Sequence, residues 1–244
     1  MALYALSDLH LSFTDDKPMG IFGSVWEDHD KKIERNWLAK IKPEDTVLLG
    51  GDLSWSMTME MAMKELDFIN SLPGRKIAIK GNHDYWWASI KNLNSLYDNF
   101  HFIQNNYFLW NNTAICGTRG WVCEGSEKFT ATDAAIYRRE GIRLENSLSK
   151  ATSAGYTDLI VMIHYPPVNE YNQDSVFTDL LEKYKVRKVI YGHLHGAALK
   201  NVLQGDRNGV EYIMTSGDFL NFDPILIEAD LADTREEETD RQSS

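Results

Sequence analysis

Lys80-Gly81-Asn82-His83-Asp84, entered from the apolar run Ile77-Ala78-Ile79, is the stretch that decides the fold. An apolar run this short, stopped by a glycine, reads as a buried strand. Its abrupt ending puts an amide oxygen, an imidazole and a carboxylate at the strand's carboxyl end, which is where α/β sheets bind ligands. Four further strand-like runs end in the same manner. Residues 3–7 stop at Asp8-Leu9-His10, and residues 46–49 at Gly50-Gly51-Asp52. Residues 159–163 stop at His164, and residues 189–191 at Gly192-His193-Leu194-His195.

Between these runs the apolar period changes from strand to helix. Ile33, Trp37 and Ile41 predict a helix over 31–40, ended by Pro43. Met59, Ala62, Met63, Leu66 and Ile69 share one helical face, closed by Pro73-Gly74. Residues 86–97 also read as helix. The runs 100–103, 107–110 and 113–117 are short strands separated by Asn-rich turns, which predicts an antiparallel meander. Ala134, Tyr137, Gly141, Leu144 and Leu148 repeat helically across 130–152, and a shorter helix covers 176–184. Strands near 198–204, 210–215 and 224–228 complete the chain. The polar stretch 11–30 is long enough to act as a lid. The order predicts two mixed β-sheets packed face to face with helices on both outer sides, a four-layer α/β/β/α sandwich. Residues 1–228 form one domain, and the charged stretch 229–244, with no apolar residue after Ala232, reads as a disordered tail.

The 25 basic and 36 acidic residues give a net charge of −11, which argues against a phosphate backbone as partner, so nucleic acid is disfavoured. The N-terminus lacks a basic n-region and reads as a strand, and no apolar run approaches membrane-spanning length. Cys116 and Cys123 are the only cysteines and do not form a CxxC pair. They read as free thiols of a cytoplasmic protein. Nothing in the sequence specifies an oligomer.

Of seven histidines, five fall at the strand endings and only His29 and His101 do not. A lone histidine after a strand is more often structural. Five at equivalent positions, beside Asp8, Asp52 and Asn82, are costly to bury unless a cation holds them. Oxygen and imidazole donors without thiolate suit Mn²⁺, Fe or Zn²⁺. Seven donors exceed one such ion and suit two sharing a carboxylate, the arrangement that displaces an oxygen from phosphorus.

Asp8-Leu9-His10, Gly51-Asp52, Gly81-Asn82-His83-Asp84, His164 and Gly192-His193-Leu194-His195, in this order, resemble the motifs of the calcineurin-like metallophosphoesterases. The resemblance implies that Asp8, His10 and His195 hold one transition-metal ion, that Asn82, His164 and His193 hold a second, and that Asp52 bridges them. It implies a hydrolase in which a metal-bridging hydroxide attacks a phosphodiester or phosphomonoester in line, with His83 outside the metal shell beside the scissile phosphate. Asp84 either orients a neighbour or caps a following helix. Trp55 and Ser56 stand where the family's protein phosphatases carry a second Asp and a phosphate-gripping Arg. That departure favours a small-molecule phosphoester substrate. Arg119 is a candidate replacement guanidinium, with Asn82 and His83 as further substrate contacts. The tryptophans near the motifs, Trp26, Trp55, Trp86, Trp87 and Trp121, read as core packing for at least half, with aromatic substrate walls the alternative. A nuclease of the same family and a non-catalytic binding scaffold remain the other readings.

Overall fold

The structure, a computed structural model, describes residues 1–14, 17 and 19–230. Among the described residues, eleven strands and five α-helices follow one another: β1 (Ala2–Leu6), α1 (His29–Lys40), β2 (Thr46–Leu49), α2 (Met59–Ser71), β3 (Arg75–Ile79), α3 (Ile90–Leu93), β4 (Phe100–Ile103), β5 (Phe108–Trp110), β6 (Thr113–Thr118), α4 (Asp133–Ser153), β7 (Leu159–Ile163), α5 (Val176–Lys183), β8 (Lys188–Tyr191), β9 (Gly205–Arg207), β10 (Val210–Met214) and β11 (Ile225–Ala229).

They form a five-stranded sheet, β11-β1-β2-β3-β4, and a six-stranded sheet, β5-β6-β7-β8-β10-β9. The first is parallel except for its antiparallel edge strand β11, and the second is parallel in its middle with antiparallel strands β5 and β9 at its edges, so both are mixed. The alternation of side chains across each strand builds three separate apolar layers. Leu3, Ala5, Leu48, Ile77, Ile160, Met162 and Ile190 point between the sheets. Leu6, Val47, Leu49 and Ala78, from the opposite faces, meet Ile33 and Trp37 of α1 and Leu66 and Ile69 of α2. Val161, Ile163 and Val189 meet Leu144 and Leu148 of α4 and Phe177 and Leu181 of α5. Three cores mean four layers, as the sequence predicts. Among the described residues, no helix is long and apolar enough to cross a membrane.

Several elements differ from expectation. The segment 86–97 is irregular apart from α3. Trp86 donates to Asp84 and Trp87 to Gln104, which pins the backbone in a loop, and Asn92, Asn94 and Ser95 are weak helix formers. The expected meander is divided between the sheets. β4 joins β3 in parallel, and the chain crosses at Asn105 (φ 62°) before β5 and β6 pair antiparallel in the other sheet. Period-two patterning fixes which face is buried, not which neighbour is paired. In place of a strand over 198–204 there is a 3-10 turn, Gly196–Asn201, followed by β9. β11 runs through Ala229, and Asp230 donates its N–H to the Met1 carbonyl, so the sheet edge extends past the expected boundary. The rest of the expected tail, from residue 231, lies outside the described residues.

Candidate metal centre

The parallel strands of both sheets end on one side of the molecule, and Ser7 joins those ends. Its N–H donates to the Thr215 carbonyl (2.8 Å) and its hydroxyl pairs with that of Thr215 (2.7 Å). Asp8 N–H to Gly51 carbonyl and His10 N–H to Asp52 carbonyl, both 2.9 Å, then zip the loops after β1 and β2 together. Asp8, His10, Asp52 and His193 all have left-handed backbone, with φ of 59°, 45°, 52° and 71°. Such conformations are costly for residues with a side chain and persist only where the surroundings fix them. Two glycines admit this crowding: a Cβ on Gly81 would overlap the Asp52 carboxylate, and one on Gly192 the Asp8 carboxylate.

Two groups of donor atoms result. Asp8, His10 and His195 have one ligand atom each within 4.8 Å of the others, and so do Asp52, His164 and His193. Asp52 Oδ2 lies between the groups, 3.7 Å from His10 Nε2 and 3.4 Å from His164 Nε2. Asn82 completes the second group, its Oδ1 2.8 Å from His164 Nε2.

Tautomers sharpen the geometry. His164 Nδ1 donates to the Gly50 carbonyl (3.0 Å), which turns Nε2 and its lone pair toward the oxygens of Asn82 and Asp52. His195 Nδ1 donates to Asp218 Oδ1 (2.8 Å), which leaves Nε2 facing Asp8 Oδ1 at 3.5 Å. Lone pairs facing lone pairs require a proton or a metal cation between them. Asp8 Oδ1 is fully buried and has no hydrogen-bond partner among the described residues. Its other oxygen accepts from the Ser216 hydroxyl (2.8 Å) and His193 N–H (3.0 Å). This donor set fits a cation-binding centre.

The electrostatics agree. Burial pushes His10 down to about 4 and His193 to about 3, so both imidazoles are neutral at pH 7. Burial acts likewise on His164 and His195. There the carboxylates outweigh it, Asp52 holding His164 at about 9, and Asp218 and Asp8 holding His195 at about 10. Despite burial, the imidazoles keep Asp8 and Asp52 below the ordinary carboxylate range. Two buried carboxylates thus create a field that retains positive charge, which metal ions satisfy more fully than protons do.

His83 stands beside both groups. Its N–H donates to Asp52 Oδ1 (2.7 Å), and its ring packs on Trp55 at 4.2 Å. Its buried Nδ1 has no partner among the described residues. Trp55 also stacks on His10 at 4.8 Å, so one indole packs on both imidazoles. A cavity of about 350 Å³ lies over the centre, lined by His10, Asp52, His83, His193, His195 and, as aromatic walls, Trp26 and Trp55.

Arg119 is not brought to this cavity. Its guanidinium donates to the buried Glu140 (3.2 Å), which also binds Arg143 (2.8 Å) and the Thr118 hydroxyl (2.8 Å). Glu140 on α4 was invisible as a partner in sequence, and it takes the charge Arg119 would have offered to phosphate.

Asp84 has a different role from its neighbours. It accepts from the backbone N–H groups of Gly81 (2.7 Å), Asp52 (2.9 Å), Leu53 (2.9 Å) and Ser54 (3.3 Å), and from the Trp86 indole. It therefore clamps the β2 and β3 loops to each other and caps no helix. Burial and the Asp52 charge push it up to about 6. Asp218 is the residue that sequence reasoning missed. Its signal was present, because Gly217-Asp218 shortly follows the expected strand at 210–215, in the same Gly-Asp form as Gly51-Asp52.

Comparison with known proteins agrees with this geometry. A 78-residue segment, 32% of the chain, is 33% identical to the gene 66 protein of Mycobacterium phage L5, and it spans 37% of that protein's length. A protein of unknown function from Aquifex aeolicus shares the fold at 21% identity and a TM-score of 0.50, over 99% of this chain and 98% of that one. The phosphopantetheinyl hydrolase of Mycobacterium tuberculosis shares it at 15% identity and a TM-score of 0.59, over 94% and 96%. Residues 1–197 match the profile of the calcineurin-like phosphoesterases, a span that includes both donor groups, and the chain belongs to that family of metal-dependent phosphoester hydrolases.

Proposed function

We propose that this chain hydrolyses a small-molecule phosphoester, a diester or a monoester, at the centre formed by Asp8, His10, Asp52, Asn82, His164, His193 and His195. The observation that carries the reading is the convergence of the two donor groups from both sheets, with the Asp52 carboxylate between them. Asp8, His10 and His195 would hold one transition-metal ion, and Asn82, His164 and His193 the other, with Asp52 shared. Mn²⁺, Fe and Zn²⁺ all suit these donors. When bound, such ions make water nucleophilic at neutral pH and neutralise charge on the phosphoryl oxygens.

The chain's own groups supply the remainder. Asp218 and the Gly50 carbonyl fix the tautomers of His195 and His164. Asp84 fixes the loops that carry Asp52 and Asn82. His83, at the cavity edge, hydrogen-bonds the phosphoryl group and gives a proton to the departing oxygen. Trp26 and Trp55 cover the centre and exclude water from it.

A small substrate is supported by the cavity's size and by the net charge of −11, which disfavours a polyanion. Buried, unpaired Cys116 and Cys123 support a reducing compartment, the cytoplasm. The test is turnover of chromogenic diesters and monoesters, together with a panel of nucleotide, sugar, lipid and phosphopantetheinyl esters, by protein loaded with Mn²⁺, Fe or Zn²⁺. Hydrolysis that is lost in a chelator and restored by metal is the expected result. No turnover with any metal overturns the reading, and efficient cutting of single-stranded nucleic acid replaces it with a nuclease.

A further inference from the structure

A second cavity, about 340 Å³, reaches the centre from the other side of His193. The His193 ring belongs to the lining of both. From it a row of rings leads outward: Tyr165 packs on His193 at 3.9 Å, Trp121 on Tyr165 at 5.0 Å, and the Arg119 guanidinium covers the far face of Trp121 at 4.4 Å. Leu194, Ala198, Glu127, Lys128 and Glu170 also line this cavity.

We propose that the substrate is a phosphodiester whose retained arm lies in this second cavity, along Tyr165 and Trp121, while the leaving arm lies beside His83 under Trp26 and Trp55. This rests on the phosphoesterase reading above and narrows it. Three observations carry it. A diester has two organic arms, and two cavities of nearly equal volume meet at the ligand His193. Among the described residues no Lys or Arg lines the cavity over the centre, Lys17 reaches only the Trp55 ring (5.0 Å), and Arg119 is spent on Glu140, so the chain provides for the single charge of a diester better than for a monoester dianion. The second cavity's lining sets Lys128 beside Glu127 and Glu170 and is otherwise rich in rings and apolar side chains, so it suits an organic retained arm stacked on the aromatic row. Hydrolysis breaks the bond from phosphorus to the leaving oxygen. Water gives its oxygen to phosphorus and a proton to the departing alcohol, and the retained arm leaves as a monoester. No other reactant is required.

The experiment compares three p-nitrophenyl esters with one leaving group: phenyl p-nitrophenyl phosphate, methyl p-nitrophenyl phosphate and p-nitrophenyl phosphate. The expected order of kcat/KM is phenyl over methyl by about tenfold or more, with the monoester last. Ala198→Trp, at an exposed position, fills the cavity and should bring the phenyl-to-methyl ratio close to one. Trp121→Ala, which removes the wall, should lower the same ratio. Calorimetry with diphenyl phosphate and methyl phenyl phosphate, read without turnover, should give the same preference and the same loss. A wild-type ratio near one, or a ratio that both variants leave intact, overturns the assignment of the cavity. Failure of all three esters, with diphenyl phosphate still bound through Trp121, overturns the phosphoesterase reading instead.

Discussion

The two ends of the sandwich treat charge in opposite ways. At the amino ends of the strands, Arg187 binds Asp158 through Nε (2.9 Å) and Nη2 (3.1 Å), and it also reaches both oxygens of Glu228. Lys188 stands 3.1 Å from Glu211, and the Thr113 hydroxyl donates to Asp158 (2.6 Å). Each of these charges meets its opposite, partly in water. At the carboxyl ends, Asp8 and Asp52 are buried together among imidazoles, with Asp8 Oδ1 unpartnered within the described residues. Paired charge at a rim holds strands in register. Charge buried in a dry loop cluster is costly unless protons on its imidazoles or a cation balance it. The first end serves stability and the second serves chemistry, so substitutions at the two ends should separate these properties.

The widest separation is expected at Asp52. Asp52→Asn removes the oxygen between the donor groups, and activity should fall at least about 100-fold. The metal-free protein loses the partner of the buried His164, so its melting temperature should fall, but far less than activity does. A thermal melt of chelator-treated protein beside a turnover assay checks both, and near-normal turnover would break the comparison. His83→Ala should lower kcat by about 10²–10³-fold while metal content, measured by elemental analysis, stays unchanged. Loss of metal would put His83 among the ligands. Asp218→Ala frees the His195 ring, and metal affinity should weaken by about 10–100-fold, measured by competition with a chelator. For Asp52→Asn and Asp218→Ala, excess metal should raise the melting temperature of the wild type more than that of the variant, whereas for His83→Ala the two rises should match.

Much of the carboxyl end was legible in the sequence because the carboxylates, amide and imidazoles that meet there sit immediately after apolar strands. Chain order therefore carries their spatial order, and Asp8, Asp52, Asn82 and His193 arrive where a strand stops. Asp218 was less visible because the strand before it ends at Met214, and Thr215 and Ser216 intervene. Arg119 misled for a physical reason, since a guanidinium after a strand goes to whichever carboxylate reaches it first, and Glu140 faces inward from a helix whose exposed surface is charged. The antiparallel meander failed at one crossing, Gln104 to Tyr107, where the chain changes sheets. Side-chain alternation is identical whichever sheet a strand joins, so the crossing left no trace in the pattern. The second cavity was also illegible, because Trp121, Tyr165 and Ala198 lie far apart in the chain and share no motif.

The smallest expected effect lies at the opposite end, and it is the one that isolates stability. Arg187→Ala should cost about 1 kcal/mol or less, since the pair with Asp158 is partly exposed and screened by salt. Turnover should not change, because the strands' full length separates Arg187 from His193. The pH dependence identifies the cause. Burial alone would raise the Asp158 carboxyl, but the hydrogen bonds from Arg187 and Thr113 prevail and hold it below its usual range. An unfolded Asp, near pH 3.9, therefore takes a proton before the folded one does. The stabilisation is complete above about pH 4 and is lost as pH falls through the lower folded value. Arg187→Ala should accordingly lower stability by its full amount on the neutral side and by progressively less in acid, which flattens the acid limb of the stability curve, read as denaturant midpoints between pH 3 and 6. An equal loss at all pH values would mean that Arg187 acts through packing of its stem against β11. The paired end would then hold by apolar contact, as the interior does, and the contrast between the two ends would rest on the metal centre alone.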